Sequence, residues 1–439
     1  MNAWWTRYLP GIMREQLGGR PQLQITIGNA GWLLFDRILR MVIGVTIGAW
    51  VARYLGPAQF GELAYVISFI AFFQVVSRLE AEGFIVRDIA QERGDASVVL
   101  GTTLWLRLLS GLFSWVVAVF GIFMLHPDDG QLILLTAIVG ATLVFQAADT
   151  VDLWFQSQNQ NRRTVIAKLV SYLFSNGVKV VLLCIKAPLV AFAGVICLEG
   201  VALALSLVVA YRRFPAGNRW SATSAQAKAL LGQCWPFIAS GLMITTYLRI
   251  DQIMIKEMLG EHELGIYAAA LPISQVWAVI PSTLLTTLWP YVSRKKMQGE
   301  QSYQDVMVKI FRLFALVALV GSALTAWSSP WLIGLLYGPQ YQAAARILSI
   351  HVFVNLFVFQ NLAQNLWVIN NNVQRVVLPS TLLAAIISIM ANFLLINRYG
   401  IIGAAFSIVL TEAVSAALPC LLQRELLTLY KRAIFFTKT

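Results

Sequence analysis

The chain is poor in charge. Only 12% of its 439 residues are charged, while 58% are hydrophobic; soluble domains carry about 25% charged residues. So much apolar surface cannot be hidden inside a compact fold in water, which excludes a soluble enzyme. Cysteine is scarce too. Cys184, Cys197, Cys234 and Cys420 lie in or beside apolar stretches and form no CxxC pair, so they read as small buried hydrophobes. The three histidines, His126, His262 and His351, are too scattered for a zinc site. The glycine-rich loop ending in GK and Ser or Thr that holds nucleotide phosphates is missing. There is no soluble stretch large enough for a nucleotide-sugar enzyme. No metal and no cofactor is expected. Residues 1–24 lack the apolar core and cleavage pattern of a signal peptide.

What the chain has is long apolar segments. A helix needs about 20 mostly apolar residues to cross the hydrocarbon core. Twelve such segments are predicted, over 30–52, 61–83, 99–125, 132–154, 166–185, 189–211, 233–256, 265–289, 306–328, 347–369, 376–396 and 401–423. The fold class is therefore an all-α polytopic membrane protein. The net charge of +12 is carried mostly by short spacers between these segments. That argues for a topology signal and against a nucleic-acid partner. With both termini inside, the spacers and tails hold 19 basic residues on the cytoplasmic side and 4 on the outer side. That bias is the positive-inside pattern. Trp50, Trp154, Trp235, Trp289, Trp327 and Trp331 fall at segment ends, where an indole ring prefers the headgroup region.

The spacer 212–232 is the longest inner one and divides the segments six and six. The expected organisation is a cytoplasmic tail (1–24), an N-lobe (25–211), a cytoplasmic linker (212–232), a C-lobe (233–423) and a second cytoplasmic tail (424–439). An internal echo supports two lobes: Leu55-Gly56 with Gly61 recurs as Leu259-Gly260 with Gly265, at an offset of 204. Transporters are often built from such repeats, with the substrate path between them.

Several stretches resemble a known family. They are Ala52-Arg53-Tyr54-Leu55-Gly56-Pro57 with Phe60-Gly61 and Ala64-Tyr65, then Asp152-Leu153-Trp154-Phe155-Gln156, then Arg249-Ile250-Asp251-Gln252-Ile253-Met254. Leu259-Gly260, Gly265-Ile266-Tyr267, Ala268-Ala269-Ala270, Asn392, Tyr399-Gly400-Ile401, Gly403-Ala404-Ala405 and Glu412 continue the series. Together they resemble the O-antigen and exopolysaccharide flippases. These form the polysaccharide-transport branch of the multidrug/oligosaccharidyl-lipid/polysaccharide exporter superfamily. Ser157 departs from the pattern, since many relatives have glycine there. The resemblance implies a V-shaped pair of six-helix lobes related by a pseudo-two-fold axis around a central cavity. It implies transport of a lipid-linked oligosaccharide of the undecaprenyl-pyrophosphate type to the outer leaflet of the inner membrane. A polysaccharide polymerase machinery is the further partner it suggests.

Such a substrate needs a polar path, because a diphosphate and sugar hydroxyls would lose water in hydrocarbon without replacement. Ionisable residues within helices are therefore informative. Asp36, Arg37, Arg40, Arg107, Lys179 and Glu199 lie deep in the first half; Arg249, Asp251 and Glu412 lie in the second. Arg37, Arg40, Lys179 and Arg249 are the candidate diphosphate contacts, since guanidinium and ammonium groups match that charge. Asp36, Glu199, Asp251 and Glu412 are the candidate ion carriers. Asp36 and Arg40 also share a helical face and suit a local pair, as do Arg78 and Glu82. Pro272, Pro281 and Pro290 are expected to bend the eighth helix. Two alternatives stand beside the flippase. A drug or metabolite exporter of the same superfamily would favour an apolar, aromatic and acidic pocket. A membrane polymerase or ligase would need a long outer catalytic loop, and the longest outer spacer here, 329–346, is short.

Overall fold

The computed structural model describes residues 21–80, 82–91, 95–158, 160–215, 219–371, 373 and 376–435, with side chains from Arg37 onward except at 286–287 and 434–435. Among the described residues the chain is helical, with no strand. Eleven helical stretches among the described residues are long and apolar enough to cross a membrane. The first of these, Arg37–Ala90, runs for 54 residues, more than twice the roughly 20 that one crossing needs. Its main helix, α1 (Pro21–Arg78), is broken at Gly56, where φ is 77° and ψ 169°. A side chain would be strained in that conformation, and glycine is not. Counted as two crossings, it brings the total to the twelve expected from sequence.

The N-lobe continues with α2 (Glu82–Ala90), α3 (Ala96–Leu125), α4 (Gly130–Gly140), α5 (Thr150–Ser157), α6 (Asn161–Cys184) and α7 (Leu189–Arg213). The C-lobe holds α8 (Ser224–Leu259), α9 (Glu261–Gln275), α10 (Val279–Gln298), α11 (Glu300–Leu336), α12 (Ala344–His351), α13 (Val354–Asn370), α14 (Val377–Tyr399), α15 (Ile401–Leu422) and α16 (Arg424–Phe435). Asp95 starts α3 by accepting the Ser97 amide, and Thr223 starts α8 by accepting the Gln226 amide. Both side chains satisfy orphan donors of a first helical turn.

Several expectations need correction. The fourth crossing is not one helix. Between α4 and α5 lie a single turn at Thr142–Phe145 and a 3-10 segment at Gln146–Asp149. No proline marks that break, and hydropathy averaged over 132–154 runs across Asp149 without revealing it. The tenth crossing is also divided, between His351 of α12 and Val354 of α13. The linker is shorter than 212–232, because α8 begins at Ser224 and carries its helix well beyond its apolar segment. The tail after 423 is not a simple tail: Arg424–Phe435 forms α16, with apolar residues on one face. In the eighth crossing the irregular turn falls at Val276–Ala278. Pro281 then sits in the first turn of α10, where a missing amide costs nothing, and Pro290 lies inside that helix.

The two halves meet through the repeated glycines. A Cβ on Gly61 would lie 1.9 Å from the Glu261 carbonyl oxygen, and one on Gly265 would lie 1.8 Å from that of Pro57. The contacts 61–261 and 57–265 exchange under the offset of 204, as a two-fold relation requires. Gly56 and Gly260 both take positive φ, 77° and 96°, at the turns just before these contacts. The echo read in the sequence is thus a structural repeat, and its glycines are small because backbones touch there.

Candidate functional site

The end of the molecule that carries Gly56 and Gly260 is sealed across the lobes. Tyr65 Oη donates to Glu257 Oε1 at 2.8 Å, and Ser68 Oγ donates to Gln252 Oε1 at 2.7 Å. His126 Nε2 lies 3.0 Å from Glu257 Oε1 and 3.2 Å from Lys256 Nζ, whose ammonium is 4.8 Å from the centre of the Tyr65 ring. Tyr341 Oη and Gln340 Nε2 donate to the carbonyls of Ala52 and Arg53, each at 2.8 Å. Buried hydrogen bonds such as Ser68–Gln252 add about 1 kcal/mol each, so this closed end holds through many small terms. At the opposite end, where the linker lies, Arg37 reaches across the lobes. Its Nη1 donates to Ser282 Oγ at 3.0 Å and Thr283 Oγ1 at 3.3 Å.

The basic residues singled out in the sequence divide between the lobes. Arg37 and Arg40 stand on α1, Lys179 on α6 and Arg249 on α8. Arg40 donates to the Val165 carbonyl at 3.4 Å and lies 5.7 Å from the centre of the Tyr172 ring, while Tyr172 Oη donates back to the Arg40 carbonyl at 2.7 Å. Lys179 Nζ is 3.9 Å from Glu199 Oε2, which also accepts from Ser175 Oγ at 2.7 Å. Lys168 pairs with Asp152 at 2.5 Å. Residues 168, 172, 175, 176 and 179 recur every three or four positions, so α6 turns one polar face along its length. The sequence showed Lys179 with no opposite charge at i±3 or i±4; the structure supplies one from the neighbouring helix. Arg107 is fully buried, 3.8 Å from Glu82, inside the N-lobe. Arg78 pairs with Glu82 at 3.1 Å as expected. The side chain of Asp36 lies outside the described residues, and with it the expected Asp36–Arg40 pair.

The acidic candidates Asp251 and Glu412 come together, although they are far apart in sequence. Both are buried, at 2% and 3% exposure. They line one cavity of about 160 Å³ inside the C-lobe, with Ser274, Gln275, His351 and Asn355. Asp251 accepts from Tyr267 Oη at 2.5 Å and from the Gln252 amide at 2.8 Å. Glu412 accepts from Asn361 Nδ2 at 2.8 Å. His351 Nδ1 lies 2.8 Å from Ser274 Oγ at the break in the tenth crossing. A second polar cavity of about 120 Å³ follows, lined by Tyr247, Asn361, Gln364, Asn365, Thr381 and Ser415 among others. Glu199 belongs to neither cavity. Arg249 precedes Asp251 by two residues on α8, half-buried, and is not among the lining residues.

Sequence reasoning missed the amides and His351. The signal was present: Asn355, Gln360, Asn361, Gln364, Asn365 and Asn370 crowd one apolar segment at helical spacing. Neutral amides draw less attention than charges, yet in lipid each needs a partner, so a run of them marks a polar interior. Among the described residues no group of His, Cys, Asp and Glu is arranged to hold a metal.

Comparison with known proteins agrees with this architecture. Residues 27–296, well over half of the chain, match the family model described as polysaccharide biosynthesis protein. No curated protein sequence matches the chain. Among solved structures it is similar to an inward-facing multidrug resistance MATE family transporter of the MOP superfamily, with a TM-score of 0.71 and 15% identity over 89% of this chain and 96% of that one. It is similar to the lipid II flippase MurJ in an inward closed conformation, with a TM-score of 0.71 and 10% identity over 91% and 90% of the two chains. It is also similar to a MOP superfamily transporter from Pyrococcus furiosus, with a TM-score of 0.60 and 15% identity over 95% and 97%. Identities this low speak for the fold alone; the family rests on the match over 27–296. The chain belongs to the family described as polysaccharide biosynthesis protein and is a multi-pass membrane protein whose fold is similar to those of the MATE transporter and the flippase MurJ.

Proposed function

We propose that this protein flips a lipid-linked oligosaccharide, an O-antigen or exopolysaccharide repeat unit on a polyprenyl pyrophosphate, from the cytoplasmic to the outer leaflet of the inner membrane. The linker end is cytoplasmic in this reading and the Gly56 end faces outward, as the distribution of basic residues in the spacers suggests. The observation that carries it is the placement of Arg37 and Arg40 on α1 with Lys179 on α6, and the reach of Arg37 to Ser282 and Thr283 of the other lobe. A guanidinium that hydrogen-bonds two neutral hydroxyls keeps its full charge for an arriving anion. A diphosphate entering between the lobes would replace two neutral acceptors with charged ones, which bind roughly twice as strongly. Arg249 is the corresponding candidate on the C-lobe.

Transport then requires the seal at the Gly56 end to open while the linker end closes. The Asp251–Glu412 cavity is the proposed cation site that drives this step. A cavity of about 160 Å³ suits an ion and its few ligands. Drug-sized ligands occupy about 300–1,000 Å³, so this cavity gives no support to a drug exporter.

The test is export of the lipid-linked sugar by cells carrying Arg37→Gln, Arg40→Gln, Lys179→Gln and Arg249→Gln, singly and combined, with protein level measured beside it. The combined variant is expected to accumulate the lipid-linked unit on the cytoplasmic side at normal protein level. Full export by the combined variant would reduce these charges to a structural role and remove the basis of the proposal.

A further inference from the structure

The C-lobe carries a groove that neither the transport path nor the cation site uses. Helices α11, α13, α15 and α16 enclose about 660 Å³. The floor is made by small residues of α15, Ala413, Ala416, Ala417 and Cys420, at helical spacing. The outer rim carries Leu316 and Leu319, which are 59% and 50% exposed, so the groove opens on the lipid-facing surface. The nine residues from Phe311 to Leu319 on α11 give it a length of about 12 Å.

One side of the groove is the tail helix α16, and its docking is specific. Arg312 Nε and Nη2 donate to the carbonyls of Ala433 and Arg432 at 3.0 and 2.6 Å. Those carbonyls lie in the last turn, where the helix itself supplies no donors. Arg432 pairs with Asp305 at 3.0 Å, and buried Gln364 donates to Tyr430 Oη at 2.8 Å. These contacts fix Lys431 at the lip of the groove, exposed and without an ion-pair partner among the described residues.

We infer that this groove is a site for one anionic phospholipid, with an acyl chain along α15 and the headgroup phosphate on Lys431. An unfilled apolar groove facing the bilayer forfeits dispersion contacts along its whole lining, and a hydrocarbon chain restores them. Lys431 at its lip, with the Arg312 guanidinium also lining the groove, then favours a headgroup that carries net negative charge over a zwitterionic one. The lipid also braces α16. Tyr430 lines the groove and accepts from Gln364, which lines the second polar cavity of the C-lobe. This inference stands on the membrane setting alone and does not depend on the substrate.

The experiment is native mass spectrometry of the full-length protein released from detergent micelles containing dioleoyl phosphatidylglycerol or dioleoyl phosphatidylcholine. The wild-type protein is expected to retain phosphatidylglycerol in preference to phosphatidylcholine. Lys431→Gln should weaken phosphatidylglycerol retention about five-fold, the worth of one lysine near a charged surface, and leave phosphatidylcholine unchanged. Ala417→Phe, which fills the floor, should reduce retention of both. Equal retention of the two lipids by the wild-type protein would overturn the site, as would unchanged phosphatidylglycerol retention in Lys431→Gln. Lys431 is exposed, so that variant does not put folding at risk.

Discussion

Replacing Gly265 by alanine tests the closed end directly. The added Cβ would lie 1.8 Å from the Pro57 carbonyl oxygen, where real contacts stay beyond 3.0 Å. The two backbones must therefore separate by about 1.2 Å, and neither partner is a flexible side chain. Overpacking of this kind costs about 1–3 kcal/mol. That cost falls on the closed arrangement alone, because opening the Gly56 end relieves it. A bias of about 1–3 kcal/mol shifts a two-state equilibrium by roughly 5–150-fold. Ser68 is fully buried beneath the contact, so Ser68→Cys reports opening through its rate of reaction with a membrane-impermeant maleimide. The background lacks Cys184, Cys197, Cys234 and Cys420. Gly265→Ala is expected to raise the labelling rate by at least five-fold. Gly61→Ala should act alike, since its Cβ would meet the Glu261 carbonyl at 1.9 Å. Gly48→Ala, with nothing within 4 Å of its Cβ, should leave the rate unchanged. Unchanged labelling in both Gly61→Ala and Gly265→Ala, at normal protein level, would refute the claim that these glycines hold the lobes together.

Further expectations follow from the same structure. Glu412→Gln keeps a hydrogen-bonding partner for Asn361 but removes a charge from the cavity; substrate export in inverted vesicles should lose its dependence on the cation gradient while the thermal midpoint stays close to that of the parent. Tyr430→Phe removes the acceptor for Gln364 Nε2, which keeps its bond to the Ala416 carbonyl at 2.7 Å. The loss should be about 1 kcal/mol, read as a small fall in thermal midpoint and faster proteolysis of α16. Gly321→Ala would bring a Cβ within 2.9 Å of the Trp277 ring; it should destabilise the protein by about 1–3 kcal/mol and alter tryptophan fluorescence.

Much of this protein is legible in the sequence by itself. Hydropathy depends on composition over some twenty residues, and lipid allows little besides helices, so the class and the number of crossings follow from local information. The glycine echo was legible for a related reason, since Gly56 and Gly260 need backbone angles that other residues resist. The pairing of Arg78 with Glu82 is likewise a local matter of four residues. Three things were decided by the tertiary structure alone. The breaks in the fourth and tenth crossings carry no proline; Ser77 and Ser322 of other helices donate to the Leu143 and Val352 carbonyls there. The partners of Lys179 and Asp251 come from the next helix along the chain, Glu199 for the one and Tyr267 for the other. The meeting of Asp251 with Glu412 in one cavity depends on how α8 and α15 pack, and no spacing along the chain encodes that distance.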